Sequence, residues 1–237
     1  PNFGNLLIDS FFNQIVSTIQ RLSLSTDVPT NIEVWQLTLN LQMPVSHLDF
    51  CLLNESERNR ALRFRAHEDQ VRSIVTRAAL RRLLAQKIMR QPEKLNFVTN
   101  EYGKPSLQSD TDIQFNVSHA GCFALLAFST GGSIGVDIES CNRQIDINGL
   151  GKYVFTALER KAKIKTTTDF IRHWVAKEAI LKAWGVGISE HLQSISVLHD
   201  SERYRVVCDR IDCPTINGWA IEAPDDYAAA LAVVNRD

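Results

Sequence analysis

Apolar and polar positions along the chain follow two periods, one typical of strands and one typical of helices. Residues 32–41 alternate one by one, which predicts a half-buried strand. Residues 54–89 are predicted to be helical with a break near His67, because Asn54 and Glu57 have the spacing of a capping box. Further helices are predicted at 5–22, from 156 onward and at 168–184, and further strands at 95–99, 113–117, 122–129, 133–139, 194–198, 203–208, 218–222 and 227–234.

Each half of the chain combines helices with an antiparallel-looking set of strands, which predicts an α+β fold. A turn-like stretch at residues 130–133, Thr-Gly-Gly-Ser, separates the two halves. We therefore predict an N-terminal lobe over 1–132, which includes an N-terminal extension, and a C-terminal lobe over 133–237.

Two acidic residues lie on one predicted strand of the C-terminal lobe. Because side chains at i and i+2 point to the same face, Asp137 and Glu139 share one side while Val136 and Ile138 point to the other. Two neighbouring carboxylates repel each other, and a Mg²⁺ ion held by carboxylates and substrate phosphates removes that repulsion. A solvated edge strand with alternating polar residues is the alternative explanation of this pair.

A second cluster of charges lies on the predicted helix 168–184. Glu178 and Lys182 are four residues apart and share a face, whereas Lys177 lies about 100° away from Glu178. Alone, this is an ordinary surface pair worth about 0.3–0.5 kcal/mol. Together with the acidic strand, the third carboxylate and its lysines indicate a metal and phosphate site.

Composition narrows the range of partners. The 237 residues carry a net charge of −1 with a pI near 6.7, which argues against a general nucleic-acid binder. No apolar stretch is long enough to span a bilayer, so no membrane partner is expected. Five cysteines without a paired metal spacing indicate reduced thiols and a cytoplasmic location.

The motifs occur in an order that resembles the 4′-phosphopantetheinyl transferases, in particular their Sfp-type branch. The resemblance covers about residues 54–190. Its most specific part is Gly-Val-Asp-Ile-Glu at 135–139 followed by Trp-x-x-Lys-Glu-Ala-x-x-Lys-Ala-x-Gly-x-Gly at 174–187. Gly-Lys-Pro at 103–105, Asn-Val-Ser-His at 116–119 and an arginine-rich run at 63–81 extend it.

The resemblance implies two similar α+β lobes related by a pseudo-twofold axis, with coenzyme A between them. It implies Mg²⁺-dependent transfer of the 4′-phosphopantetheine arm of coenzyme A to a serine of an apo acyl, polyketide or peptidyl carrier protein. Adenosine 3′,5′-bisphosphate is released. A two-lobed chain with its own cleft is expected to act as a monomer.

The resemblance also implies roles for individual residues. Asp137, Glu139 and Glu178 match the magnesium ligands, and Glu178, or a water that it holds, matches the general base. Lys182 is expected to be catalytic. The residues expected to bind coenzyme A are Arg72, Lys104, Ser118, His119, Lys177 and Lys182.

Some positions depart from the family pattern, and other functions remain open. The basic contacts upstream of Arg72 have no secure counterpart, although Arg58 and Arg60 are candidates, and the first thirty or so residues lie outside the resemblance. Two other classes fit the same residues. One is another Mg²⁺-dependent phosphotransferase acting on a nucleotide or a coenzyme A ester, and the other is a non-catalytic module that binds carrier proteins or coenzyme A.

Overall fold

The computed structural model describes residues 17–109, 111–161, 164–201 and 203–234, and these form two α+β lobes. The first lobe contains an antiparallel four-stranded sheet. In spatial order its strands are β1 (Ser17–Arg21), β2 (Ile32–Leu39), β6 (Phe123–Thr130) and β5 (Ile113–Ala120).

Three helices and a short hairpin complete the first lobe. The helices are α1 (His47–Leu52), α2 (Glu55–Leu62) and the 22-residue α3 (His67–Ile88), and the hairpin pairs β3 (Phe97–Thr99) with β4 (Pro105–Leu107). The predicted capping box of Asn54 and Glu57 opens α2. Helix α3 packs its apolar face onto the sheet, where Val75 and Leu84 belong to one buried cluster with Leu37 and Phe115.

The second lobe has an antiparallel five-stranded sheet covered by one long helix. In spatial order the strands are β7 (Ser133–Ser140), β11 (Tyr227–Val234), β10 (Ile216–Ile221), β9 (Arg203–Cys208) and β8 (Ile195–Asp200). The helices are α4 (Ile147–Val154), the 18-residue α5 (Thr167–Trp184) and the short α6 (Ile188–His191).

The edge strands β5 and β7 meet where the lobes join. The backbone N–H of Val136 donates to Asn116 Oδ1 at 2.9 Å, and that of Ile138 donates to Ser118 Oγ at 3.4 Å. Side chains of β5 thus satisfy backbone groups of β7, since buried N–H groups need partners. This junction places Ser118 directly beside Asp137.

The structure confirms the predicted α+β class with two similar lobes, each with a long helix on an antiparallel sheet. The predicted boundary at residues 132 and 133 falls between β6 and β7. None of the helices in the described ranges is long and apolar enough to cross a bilayer.

Two local predictions differ from the structure. Residues 17–21 form strand β1 rather than helix, because they pair with β2, and residues 5–16 lie outside the described part. The helix expected to begin at Thr156 is a 3-10 turn over Glu159–Lys161. There the Glu159 carboxylate accepts from the N–H of Thr156 and also from that of Val197 on β8, so tertiary contacts hold the turn.

Candidate active site

A small pocket of about 260 Å³ opens between β5, β7 and α5 and contains all three predicted acids. Helix α5 runs very close to β7: a Cβ atom added to Gly135 would lie 2.0 Å from the carbonyl oxygen of Ala179. Only glycine allows this approach, which brings Glu178 beside the acidic strand. The pocket is lined by Val117, Ser118, His119, Asp137, Ile138, Glu139, Trp174, Glu178 and Lys182.

The ammonium group of Lys182 links two of these acids. Its Nζ lies 2.6 Å from Asp137 Oδ1 and 3.5 Å from Glu178 Oε2. Burial lowers the pKa of Lys182, but the two carboxylates outweigh burial, so its pKa is raised overall. Ser118 Oγ donates to the same Asp137 oxygen at 2.6 Å. The structure therefore brings Ser118, Asp137, Glu178 and Lys182 together.

Glu178 is largely buried and lies close to a second carboxylate, that of Asp137. Burial, followed by repulsion from Asp137, raises the pKa of Glu178 to about 7, although Lys182 acts in the opposite direction. A carboxyl group with this pKa exchanges its proton near neutral pH, as a general base must.

Glu139 lines the pocket but is turned toward its own loop. Its Oε2 lies 2.6 Å from Nη1 of Arg143, and its Oε1 accepts from the N–H of Ser140 at 2.8 Å. Among the described residues, no three His, Cys, Asp or Glu side chains are grouped closely enough to hold a metal ion. The predicted convergence of three carboxylates on one point is therefore not present in this arrangement, in which cations pair with Asp137 and Glu139.

The donor set nevertheless fits a hard divalent cation. All three acids line one small pocket, and carboxylate oxygens are ligands that Mg²⁺ accepts. Burial and the neighbouring carboxylate of Asp137 raise the pKa of Glu178, and a bound cation would act in the opposite direction. Ion binding would need Glu139 to leave Arg143, an exposed partner whose loss costs little.

A larger pocket of about 620 Å³ adjoins the acidic pocket, and both are lined by Val117 and His119. It is basic on balance, because Arg60, Arg72 and Arg77 line it together with two acids, Glu57 and Asp69. Arg72 is held in place because its Nε donates to the carbonyl of Gly121 at 2.9 Å and its guanidinium pairs with Asp69.

Two further groups lie at this pocket. Nη1 of Arg77 is buried and has no hydrogen-bond partner among the described residues, whereas its Nε lies 3.5 Å from Glu57 Oε1. Desolvation, followed by the charge of Arg72, lowers the pKa of His119. The lowered pKa favours the neutral imidazole, whose N–H can donate a hydrogen bond to phosphate.

The sequence analysis identified only some of the arginines that line the larger pocket. Arg60 was one of two candidates, and the structure favours it, since the other, Arg58, donates to the carbonyls of Phe50 and Cys51. Arg77 was missed, although it lies in the same arginine-rich run as Arg72. Only the packing of α3 shows that it lines the same pocket.

Lys177, which the resemblance assigns to coenzyme A phosphates, is not brought to either pocket. It is 0% exposed, and its Nζ lies 2.6 Å from Glu159 Oε2 and 2.7 Å from the carbonyl oxygen of Ile195. Glu159 is also 0% exposed. A fully buried nitrogen with these partners cannot reach a ligand, so we remove Lys177 from the proposed ligand set.

Lys104 is also directed away from the larger pocket, although its neighbours Gly103 and Pro105 line it. Its Nζ donates to Ser133 Oγ at 2.6 Å, to the carbonyl of Ile134 at 3.1 Å and to that of Ala183 at 3.3 Å. These acceptors belong to the C-terminal lobe. The side chain of Lys104 therefore joins the lobes in this structure.

Comparisons with known proteins agree with the two-lobed arrangement. Residues 133–232 match the family model described as the 4′-phosphopantetheinyl transferase superfamily, and residues 43–131 match the model described as 4′-phosphopantetheinyl transferase, N-terminal. The chain is similar to slr0495 of Synechocystis sp., with 34% identity over 76% of this chain and 79% of that protein.

Like slr0495, a putative 4′-phosphopantetheinyl transferase, two further relatives carry the transferase name. The chain is 30% identical to the 4′-phosphopantetheinyl transferase HetI of Nostoc sp., over 86% of this chain and 87% of HetI. It is 30% identical to the 4′-phosphopantetheinyl transferase Sfp of Bacillus subtilis, over 61% of this chain and 66% of Sfp. A solved holo-(acyl-carrier-protein) synthase of Bacillus anthracis, in complex with CoA (3′,5′-ADP), aligns with a TM-score of 0.37 and 23% identity over 44% of this chain and 96% of that chain. The matches to HetI and slr0495 over most of their lengths show that this chain belongs to the 4′-phosphopantetheinyl transferase family.

Proposed function

We propose that this protein transfers the 4′-phosphopantetheine arm of coenzyme A to a serine of an apo carrier protein and releases adenosine 3′,5′-bisphosphate. The observation that carries the proposal is the junction of two unlike pockets at His119. The acidic pocket holds Glu178 and Lys182, and the basic pocket holds Arg72. A diphosphate ester needs both, a cationic cradle for the nucleotide and a reacting centre beside it.

Coenzyme A would lie across this junction. The 620 Å³ pocket has room for the nucleotide end, and its arginines supply charge-assisted hydrogen bonds to phosphate oxygens. His119 would donate to a phosphate at the boundary between the pockets. Lys182 would then exchange part of its contact with Asp137 for the diphosphate, which places the reacting phosphorus near Glu178.

We propose that Asp137, Glu139 and Glu178 hold Mg²⁺ in the acidic pocket. When bound, the ion would neutralise charge on the non-reacting phosphate oxygens. Ser118 keeps Asp137 oriented through its 2.6 Å hydrogen bond, so this carboxylate is fixed before any ligand enters.

Proton transfer is the second task of the acidic pocket. The serine hydroxyl of the carrier attacks the β-phosphorus, the phosphoanhydride bond breaks, and adenosine 3′,5′-bisphosphate leaves. Glu178, directly or through a water, accepts the hydroxyl proton, which typically contributes about 10²–10⁴-fold. Lys182 balances the charge that develops on the phosphate oxygens.

Mass spectrometry of an apo carrier protein tests the transfer. Incubation with coenzyme A, Mg²⁺ and the wild-type chain is expected to add about 340 Da to the carrier, the mass of the transferred arm. Asp137→Ala is expected to abolish the gain, whereas Asp209→Asn, which alters an exposed acid, keeps it. No gain with several unrelated carriers would refute the proposal.

The same samples separate this function from the two alternatives. Release of adenosine 3′,5′-bisphosphate without a modified carrier would indicate another coenzyme A phosphotransferase. Binding of coenzyme A without any reaction would indicate a non-catalytic module.

We also propose that the chain acts as a monomer, because one chain forms both pockets. We propose that it works in the cytoplasm, where its five free cysteines stay reduced.

A further inference from the structure

The loop between β3 and β4, residues 100–104, lies between the larger pocket and the end of helix α5. On one side, Thr99, Gly103 and Pro105 line the 620 Å³ pocket. On the other side, the side chains of Asn100 and Lys104 contact the C-terminal lobe. The loop therefore contacts both the ligand pocket and the helix that carries the reactive acid.

Lys104 makes the central contacts with the C-terminal lobe. Its ammonium donates to Ser133 Oγ, to the carbonyl of Ile134 and to the carbonyl of Ala183. Ser133 Oγ in turn donates to the carbonyl of Ala183 at 2.6 Å, so the lysine, the start of β7 and the last turn of α5 form one network. A cation at the C-terminal end of a helix is favourable because unpaired carbonyls concentrate there.

Asn100 gives the loop its shape and a second contact with the helix. Its Oδ1 accepts from the N–H of Tyr102 at 3.0 Å and from that of Lys104 at 2.9 Å, which closes the turn. Its Nδ2 donates at 2.9 Å to the carbonyl of Gly185, the residue that caps α5. The turn is therefore closed on itself and is bonded to the end of α5 through both Asn100 and Lys104.

The helix end held in this way is close to the chemistry. Ala183 directly follows Lys182 and lies five residues after Glu178 on the same rigid helix. A shift of the last turn therefore moves Lys182 relative to Asp137, to which it is bonded at 2.6 Å. A misplacement of about 1 Å can cost two orders of magnitude in rate.

We propose that the 100–104 loop couples the larger pocket to the acidic pocket, with Lys104 and Asn100 as positioning residues that set the end of α5 when coenzyme A is bound. This inference rests on the proposed function for the identity of the ligand. It differs from the role that the resemblance implies for Lys104, which is direct contact with coenzyme A.

Amide hydrogen exchange with and without coenzyme A tests the coupling in the absence of a carrier. Coenzyme A is expected to slow exchange at residues 185–186 in the wild-type chain, where the N–H groups of Gly185 and Val186 donate to the carbonyl of Leu181. In Lys104→Met this protection is expected to disappear, while the Kd for coenzyme A changes by less than about threefold. Lys94→Met, which alters an exposed lysine of the same lobe, is the matched control and should behave like the wild type.

Transfer kinetics supply the second measurement. Lys104→Met and Asn100→Ala are each expected to lower kcat by about tenfold or more with little change in the KM for coenzyme A, because the lost contacts position groups without binding substrate. Circular dichroism must show that each variant is folded at the assay temperature. A simple loss of folded protein would lower the amount of active enzyme without changing ligand-induced exchange.

Three results would overturn the coupling. One is a rise of about tenfold or more in the Kd of Lys104→Met for coenzyme A, which would make Lys104 a direct ligand. Another is equal protection of residues 185–186 in Lys104→Met and wild type, and a third is no protection of these residues in the wild type. Coupling observed without carrier modification would refute the proposed transfer alone, and failure of the wild-type chain to bind coenzyme A would refute both.

Discussion

Helix α5 presents two lysines on two faces, and their surroundings differ. Lys182 faces the acidic pocket, where its side chain is 20% exposed and is shared between Asp137 and Glu178. Lys177, five residues earlier and roughly 140° around the helix, is fully buried against Glu159. The first lysine can exchange its partners for a ligand, whereas the second cannot move without leaving a buried charge.

This difference separates a functional cation from a structural one that has the same residue type and lies in the same motif. Lys177 joins α5 to the 3-10 turn at Glu159 and to β8, since Glu159 also accepts from the backbone of Val197 at 2.8 Å. The contacts of Lys177 therefore fix the position of α5, and this position brings Lys182 to the acidic pocket. Substitutions on the two faces should change different measurements.

The largest effect is expected on the Lys182 face. Glu178→Gln should lower the transfer rate by about 10²–10⁴-fold, because an amide cannot accept the serine proton. Binding of coenzyme A measured by calorimetry should persist, since the larger pocket is intact. Glu190→Gln, at an exposed glutamate of the neighbouring α6, is the control and should keep the wild-type rate. A rate within threefold of wild type in Glu178→Gln would exclude this residue as the base.

The next effect concerns the Lys177 face and appears in stability. Lys177→Met should lower the free energy of unfolding by about 3–5 kcal/mol, because it leaves the carboxylate of Glu159 buried and unpaired. Chemical denaturation measures this loss. The double variant Lys177→Met with Glu159→Gln should recover much of it, since no unpaired charge remains.

The same variant decides between the two roles of Lys177. If the residue is structural, the Kd of the folded variant for coenzyme A stays near the wild-type value. A weakened affinity with an unchanged unfolding midpoint would restore the ligand role that the resemblance implies, and the contrast between the faces would fail.

A substitution beneath the helix should affect both faces together. In Gly135→Ala the new Cβ would meet the backbone of Ala179 and Ala183, which cannot rotate away. We expect a loss on the order of 3 kcal/mol, the upper end for overpacking, together with a lower kcat, because Glu178 and Asp137 move apart. Gly151→Ala in α4, where the nearest atom is 3.5 Å from the added Cβ, is the matched control. Wild-type stability in Gly135→Ala would show that the helix does not depend on this close contact.

The sequence predicted the site best where its geometry is local. Asp137 and Glu139 are two apart on a strand, Glu178 and Lys182 are four apart on a helix, and all four line the acidic pocket, as their spacing predicts. Which strand meets which helix came from the family resemblance. The strand pattern at 32–41 and the capping box at Asn54 are local in the same sense, and both were found.

The misassigned residues depend on partners from distant parts of the chain. Lys177 pairs with Glu159, 18 residues away, and Lys104 bonds to Ser133 and Ala183, which are 29 and 79 residues away. The periodicity of apolar and polar residues does not predict such contacts. The prediction of a helix at residues 17–21 was wrong for the same reason: these residues form a strand because they pair with β2, a contact that their own sequence does not indicate.

The smallest expected effect is the pH dependence of stability on the Lys182 face, measured without divalent ions. The pKa of Glu178 is raised from 4.5 to about 7 in the folded state, so between these values the folded chain holds a proton that the unfolded chain has lost. Stability from this group is therefore present at low pH and is lost as the pH rises, by about 2 kcal/mol between pH 5 and pH 7.

The difference in unfolding free energy between wild type and Glu178→Gln isolates this contribution from the other titrating groups. Added Mg²⁺ should flatten that difference, because a bound cation favours the ionised carboxylate. A difference that does not change with pH in EDTA would show that the neighbours of Glu178 already compensate its charge, and the contrast with the fully neutralised pair at Lys177 would be lost.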